Sequence, residues 1–122
     1  MLASSKAFSG FAVDDIAKAK AFYAEVLGLD VTEANGMLTL HLAGDRPTII
    51  YPKNDHQPAT YTILNFPVDD IEATVDALVE RGVQFEHYDW VDDPRGINRR
   101  GGPLIAWFTD PAGNILSVLQ ES

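Results

Sequence analysis

The tetrapeptide Val-Asp-Asp-Ile occurs twice in the chain, at residues 13–16 and 68–71. Each copy follows a segment with the alternating pattern of a strand and precedes a segment whose apolar residues have helical spacing. Each helical pattern ends in a glycine, Gly28 or Gly82. Many helices end at a residue in the left-handed conformation, which is usually glycine. Repeats at a fixed offset usually share one structural plan. The chain is therefore predicted to contain one structural module twice.

The predicted module is a strand, a helix and three further strands. Residues 7–13 and 60–68 form the first strands, and Asp14 or Asp15 is placed to cap the first helix. Later strands are predicted at residues 29–33, 37–43 and 48–51 in the first module and at 83–90, 104–109 and 115–120 in the second. The predicted fold is α+β, a single domain with modules at about residues 1–53 and 59–122 joined by the polar linker 54–58.

Charge and composition narrow the classes of partner. The formal net charge of −9 repels phosphate backbones and anionic lipid surfaces, so neither nucleic acid nor membrane is an expected partner. The absence of cysteine excludes disulfides and thiolate chemistry. No apolar run approaches the roughly 20 residues of a membrane span, and no basic region followed by an apolar stretch opens the chain. A cytoplasmic location is expected.

Three groups of residues, in order along the chain, carry a resemblance to a known family. They are Val13-Asp14-Asp15-Ile16 with Ala21-Phe22-Tyr23 and Val26-Leu27-Gly28-Leu29, then Val68-Asp69-Asp70-Ile71 with Arg81-Gly82-Val83, and finally Phe108-Thr109-Asp110-Pro111-Ala112-Gly113-Asn114. The chain resembles the vicinal oxygen chelate superfamily, which includes glyoxalase I, bleomycin-resistance proteins and extradiol dioxygenases. The resemblance implies two βαβββ modules whose curved mixed sheets enclose a shared cleft, and it implies a homodimer.

Enzymes of this superfamily hold a divalent metal in the cleft with four side chains, two from each module. The resemblance carries these positions over to Phe8, to Ile49 or Ile50, to Ile63 and to Ser117. Divalent cations need imidazole nitrogen or carboxylate, carbonyl or water oxygen, which phenylalanine and isoleucine do not supply. No metal or other cofactor is therefore expected, and the cleft is predicted to have an apolar lining suited to an uncharged or aromatic ligand.

Twelve residues are predicted to line this cleft: Phe8, Gly10, Ala12, His41, Ile50, Ile63, Asn65, Trp90, Arg99, Trp107, Ser117 and Leu119. Several have a second interpretation. His41 suits a partly exposed strand position equally, and Trp90 and Trp107 either stack on a planar ligand or pack in the core. The arginine-rich loop 92–102 is either a solvated connection or a lid whose Arg99 meets an anionic group on the ligand. No catalytic residue is assigned.

The leading functional hypothesis is a metal-independent protein of the glyoxalase/bleomycin-resistance type that binds an apolar or aromatic small molecule, such as an antibiotic or a metabolite. Two alternatives stay open. The first is a lyase, isomerase or dioxygenase with an atypical metal ligand such as His41, or with no metal. The second is a structural or regulatory dimer whose cleft is filled by Phe8 and Ile63.

Overall fold

The computed structural model describes residues 1–121 and has the predicted α+β class. Its residues group into two compact units, Met1–His56 and a second unit that begins at Gln57. This boundary lies inside the predicted linker 54–58. The assignment of both modules to a single domain stays a prediction. Among residues 1–121, no helix combines the length and apolar composition needed to cross a bilayer.

The first unit is a four-stranded sheet with one helical segment. Its elements are β1 (Ser9–Val13), α1 (Ile16–Lys20), a π-helical continuation of α1 (Ala21–Val26), β2 (Val31–Ala34), β3 (Met37–Leu42) and β4 (Arg46–Pro52). The strand order is β1-β4-β3-β2, with β1 and β4 parallel and the other pairs antiparallel. Asn35 and Gly36 form the two-residue turn between β2 and β3, with φ of 55° and 76°. These positive angles are those that such a hairpin requires, so the predicted turn is confirmed.

The helical segment of the first unit differs from the regular helix that its spacing predicts. After five residues it widens into π-helix, and the Leu27 N–H donates to the Phe22 carbonyl at 3.0 Å, five residues earlier. Gly28 then ends the segment with φ of 73°, as expected. Ala19 and Tyr23 are buried, and the Tyr23 ring packs on Phe11 of β1 with ring centroids 5.9 Å apart.

The second unit is a three-stranded sheet with one helix. Its elements are β5 (Thr62–Pro67), α2 (Ile71–Glu80), β6 (Leu104–Thr109) and β7 (Ile115–Gln120). The strand order is β5-β7-β6, with β5 parallel and β6 antiparallel to β7. α2 packs on β6 and β7. Ile71 and Val75 of α2 are buried, as are Phe108 of β6 and Leu116 of β7.

The strand predicted at residues 83–90 does not form as a regular strand. Only a single bridge joins Phe85 to Phe108 of β6, and the Glu86 N–H donates to the Trp107 carbonyl at 2.8 Å. Farther along the same edge of β6, Asn98 bridges Ile105. Two short segments therefore share one strand edge, so neither has enough partner length for an extended ladder.

Candidate functional site

A row of polar side chains crosses the second sheet on the side opposite α2. Successive residues of a strand point to opposite faces, and Leu116 and Val118 are buried on the helix side. Ser117 lies between them on the other side. Strand pairing sets Asn65 of β5 and Trp107 of β6 directly beside Ser117. We call Asn65, Ser117 and Trp107 the polar row.

Two hydrogen bonds fix the side chains of the polar row. The buried Ser117 Oγ donates to Asn65 Oδ1 at 2.6 Å, and Trp107 Nε1 donates to the Thr62 Oγ1 at 3.1 Å. Both bonds join residues of different strands that are far apart in sequence. They orient the Asn65 amide and the Trp107 ring.

Three aromatic rings meet beside the polar row and form what we call the aromatic cluster. The rings of Tyr88 and Trp90 are nearly parallel, 3° apart with centroids separated by 5.5 Å. Trp107 meets both edge-on, at 5.6 Å from Tyr88 and 5.5 Å from Trp90. These are favourable aromatic arrangements, and Trp90 is nevertheless 58% exposed. The cluster thus places the large Trp90 ring at the surface, packed against Tyr88 and Trp107, where a planar molecule can stack on it.

The Tyr88 hydroxyl adds no charge to this cluster. Burial, with a smaller contribution from the Glu86 carboxylate, raises the pKa of Tyr88 above its ordinary value. Because that value is already near 10, the hydroxyl stays neutral at pH 7. The groups at the polar row and the aromatic cluster are therefore uncharged.

The family's metal positions in the second unit do not fit a divalent cation. A register shift between Thr62 and Leu64 marks a bulge at Ile63, whose side chain has no donor atom. Ser117 supplies one hydroxyl, and that hydroxyl already bonds Asn65. Among residues 1–121, no three side chains of His, Asp or Glu converge as metal ligands.

In the first unit, three predicted site residues lie on the sheet face opposite the helical segment. Gly10 and Ala12 of β1 pair with Ile49 and Tyr51 of β4 on that face. His41 is exposed there, and its Nε2 lies 2.8 Å from the Thr32 Oγ1 on the neighbouring strand.

Phe8 precedes β1, and its side chain is 65% exposed. In the second unit, Leu119 of β7 pairs with Ile105 on the same sheet side as Ser117. The structure therefore assembles five predicted residues of the second unit, Asn65, Trp90, Trp107, Ser117 and Leu119, around one sheet face.

Ile50 lies on the other side of the first sheet from the one predicted. It pairs with Leu38 and Phe11, and it is fully buried toward the helical segment. Ile49, the alternative for this position, pairs with Gly10 and faces the other way. Strand alternation separates adjacent residues, so the pairing with β1 places Ile49 and not Ile50 on the face of Gly10.

Arg99 is tied to α2 and does not join the polar row. Its Nε donates to Asp93 Oδ2 at 2.8 Å, and its Nη2 lies 3.4 Å from Glu72 Oε1 on α2. Arg95 pairs with the same Glu72 carboxylate at 2.8 Å and with Asp76 at 3.0 Å. The loop of residues 92–102 is therefore fastened to the helix. Sequence spacing did not reveal the partners on α2 because Glu72 lies 23 residues from Arg95 and 27 from Arg99 in the chain.

Two residues of the site are not among the twelve predicted to line it. Thr62 orients Trp107, and Tyr88 stacks on Trp90. Tyr88 stood out only as an aromatic residue two positions before Trp90. The role of Thr62 depends on the pairing of β5 with β7 and β7 with β6, which no local pattern indicates.

Comparison with known proteins identifies a family and a fold. The model of the Glyoxalase/Bleomycin resistance protein/Dioxygenase superfamily matches residues 7–118. A search of curated proteins found no significant match.

Similar solved structures cover nearly the whole chain. TnmS3, an antibiotic binding protein from Streptomyces sp. CB03234, is 26% identical, with 98% of each chain covered and a TM-score of 0.68. A putative glyoxalase family protein from Bacillus anthracis is 19% identical over 100% of both chains, with a TM-score of 0.73. The fosfomycin resistance protein FosX from Listeria monocytogenes is 20% identical over 98% of this chain and 94% of its own, with a TM-score of 0.70. The last two similarities establish the fold alone.

Proposed function

Since the chain belongs to the glyoxalase/bleomycin resistance protein/dioxygenase superfamily, we propose that it binds a largely apolar or aromatic small molecule without a metal. The observation that carries this proposal is the aromatic cluster of Tyr88, Trp90 and Trp107 beside the uncharged polar row. Ligand sites typically combine apolar and aromatic surface with a few oriented polar groups. This combination favours a planar ligand that stacks on the exposed Trp90.

Sequestration of an antibiotic or a metabolite is the biological role that fits this chemistry. TnmS3 is an antibiotic binding protein, and it is similar to this chain over nearly the full length of both. A binding protein needs no acid, base or metal at its site. The polar row meets that description, because its side chains are amide, hydroxyl and indole groups.

Metal independence is supported by the chemistry of the carried-over ligand positions. Ile63 has no donor atom, and a single serine hydroxyl such as that of Ser117 does not offset the dehydration of a divalent ion. The lyase, isomerase or dioxygenase alternative has no comparable observation in its favour, since His41 bonds to Thr32 in the first unit. A homodimer remains a prediction from the family resemblance.

Intrinsic fluorescence provides a direct test of ligand binding. The chain has two tryptophans, Trp90 and Trp107, and both belong to the aromatic cluster. Titration with fluorene and other planar aromatic compounds should quench their emission with a saturating dependence on concentration. A bound ligand at a hundred times its Kd should also stabilise the fold by about 2.7 kcal/mol.

The variant Trp90→Leu removes the exposed ring and keeps Trp107 as the reporter. It should weaken fluorene binding about fivefold, in line with the interaction energy of an aromatic pair. The matched control is Tyr61→Leu, which removes an exposed aromatic ring outside the cluster and should leave the Kd unchanged. If no planar compound quenches the emission or raises the Tm up to its solubility limit, the proposed function is wrong.

A further inference from the structure

The polar row contains a hydrogen-bond donor that the protein does not use. Asn65 Oδ1 accepts the hydrogen bond from Ser117 Oγ, so the oxygen of the amide is engaged. Its Nδ2 carries two N–H groups. Within residues 1–121 it forms no hydrogen bond, and Asn65 as a residue is exposed. The amide therefore presents N–H groups at the surface of the sheet.

The hydrogen bond to Ser117 favours one orientation of the Asn65 amide. Ser117, the middle residue of the row, is fully buried, and its hydroxyl donates to Asn65 Oδ1 over only 2.6 Å. Asn65 and Ser117 are also direct neighbours in the parallel pairing of β5 with β7, so their backbones hold the two side chains together. A turned-over amide would donate from Nδ2 to the same Ser117 hydroxyl, but a separation of 2.6 Å is typical of an O–H···O bond and shorter than an N–H···O bond, which favours the orientation with the oxygen toward Ser117. Asn65 is thus held as a donor toward the ligand side.

The Thr62 hydroxyl, in the same region, is a second uncharged hydrogen-bond donor. Thr62 Oγ1 accepts the Trp107 indole N–H, which leaves the hydroxyl proton of Thr62 available to donate. Neither a carboxylate nor a cationic side chain takes part in these two hydrogen bonds. The site thus offers donors without charge, and a neutral ligand with a hydrogen-bond acceptor complements them.

The spacing between the amide and the aromatic cluster suits a fused-ring ligand. The backbones of Asn65 and Trp107 are two strand spacings apart, or roughly 10 Å. The Trp107 indole reaches across β7, where its Nε1 donates to Thr62 Oγ1 of β5 at 3.1 Å, so the ring lies closer to Asn65 than the backbones do. A planar molecule of three fused rings is long enough to reach from Trp90 and Trp107 toward the amide. Its edge, and not its face, would meet the N–H groups.

We propose that Asn65 determines ligand specificity by selecting planar aromatic compounds that carry a neutral acceptor, such as a carbonyl oxygen, at the ring edge. This inference rests on the proposed function, since it concerns the same site. The Asn65 N–H groups are hydrated in the free protein, and a ligand that covers them without accepting a hydrogen bond leaves them unpaired, which costs affinity. Asn65 acts in this scheme as a binding residue and performs no chemistry.

The test compares fluorene with 9-fluorenone, which have the same ring system and differ by one carbonyl group. Both are titrated into the full chain, and quenching of Trp90 and Trp107 reports the Kd. In the unaltered protein, 9-fluorenone should bind about fivefold more tightly than fluorene, as expected for one net hydrogen bond. In Asn65→Asp the carboxylate still accepts from Ser117 but cannot donate, so this preference should disappear while fluorene binding persists.

Two further variants separate the loss of the Asn65 N–H donor from the effect of an added negative charge and test the orientation of the amide. Asn54→Asp adds the same charge in an exposed turn after β4 and should retain the full preference. Ser117→Ala releases the amide from its fixed orientation and should reduce the preference, with the Tm of each variant reporting that it remains folded.

The outcomes distinguish the specificity proposal from the function on which it rests. If both compounds bind the unaltered protein equally, or if Asn65→Asp keeps the preference, the role of Asn65 is wrong and the binding function stands. If neither compound binds, the specificity proposal is overturned, and the binding function is overturned with it when no other planar compound binds either.

Discussion

At the scale of single residues, Asp93 holds the loop that follows Trp90. Its carboxylate accepts hydrogen bonds from Arg99 Nε at 2.8 Å and from the Arg95 backbone N–H at 2.7 Å. The side chain is only 14% exposed. Burial opposes ionisation, but the hydrogen bonds from Arg99, Arg95 and the Ile97 backbone, together with the Arg99 charge, hold the pKa of Asp93 below its ordinary value. The loop therefore depends on an ionised carboxylate.

We expect Asp93→Asn to lower the free energy of unfolding by about 1 kcal/mol at pH 7, because the amide loses the charge that strengthens both hydrogen bonds. A carboxyl with a depressed folded-state pKa stabilises the fold above its unfolded pKa of about 3.9, and this contribution is lost as the pH falls through the folded value. The stabilities of the variant and the unaltered protein should therefore converge below that value. Urea unfolding across pH 7 to pH 2.5 measures both effects.

The neighbouring Asp92 provides the control for this prediction. It pairs with Arg100 at 2.7 Å, but its side chain is 77% exposed, so solvent screens the pair. Asp92→Asn removes the same charge and should change the stability by less than about 0.5 kcal/mol. Equal effects at both positions would contradict the assigned role of Asp93.

At the scale of secondary-structure elements, both copies of Val-Asp-Asp-Ile start a helix in the same way. The second aspartate is the cap in each: Asp15 accepts from the Lys18 N–H and Asp70 from the Ala73 N–H, both at 3.1 Å. Each has an extended backbone with φ near −140°. The sequence left Asp14 and Asp15 as equal candidates, and the cap geometry assigns the role to Asp15.

Asp70→Ala should destabilise the fold by about 1 kcal/mol, because the first turn of α2 loses the acceptor for one of its unpaired N–H groups. Asp69→Ala is the matched control, since it removes the same charge one residue earlier and should cost only a few tenths of a kcal/mol. Urea titrations of both variants give the comparison. A larger loss for Asp69→Ala than for Asp70→Ala would show that the cap is assigned to the wrong residue.

At the scale of the whole molecule, two features bear on metal binding in opposite directions. The net charge of −9 attracts divalent cations to the surface in general. Specific binding needs converging ligands, and within residues 1–121 no group of three His, Asp or Glu side chains provides them. We expect weak, unselective association and no stoichiometric site.

Addition of 1 mM Mn²⁺, Ni²⁺ or Zn²⁺ to chelator-treated protein should therefore change the unfolding free energy no more than 1 mM Ca²⁺ does. A site with a micromolar Kd would add about 4.1 kcal/mol under these conditions, which a thermal or urea melt detects easily. Calcium serves as the control for general charge screening. A stabilisation of that size by one transition metal alone would overturn the metal-independent proposal.

The parts of the fold that the sequence predicted are those governed by local rules. The hairpin at Asn35-Gly36, the helix starts after Asp15 and Asp70 and the positive φ of Gly28 and Gly82 all follow from backbone preferences of a few adjacent residues. The predicted strand at 83–90 failed because a strand needs a partner edge, and β6 shares its edge between Phe85 and Asn98. That competition involves segments thirteen residues apart, which no local pattern contains.

The candidate site also has a part that the sequence predicted and a part that depends on tertiary structure. Motifs in order along the chain predicted the family, and residue types predicted a site without metal ligands at Ile63 and Ser117 and with the aromatic residues Trp90 and Trp107, because the chemistry of a side chain does not depend on where it lies. Tertiary structure decided which groups meet. In the folded chain, Ser117 donates a hydrogen bond to Asn65, Ile50 faces the core, and Arg99 forms an ion pair with Glu72 of α2. Strand register and ion pairing between distant segments depend on three-dimensional packing, so only the folded chain specifies them.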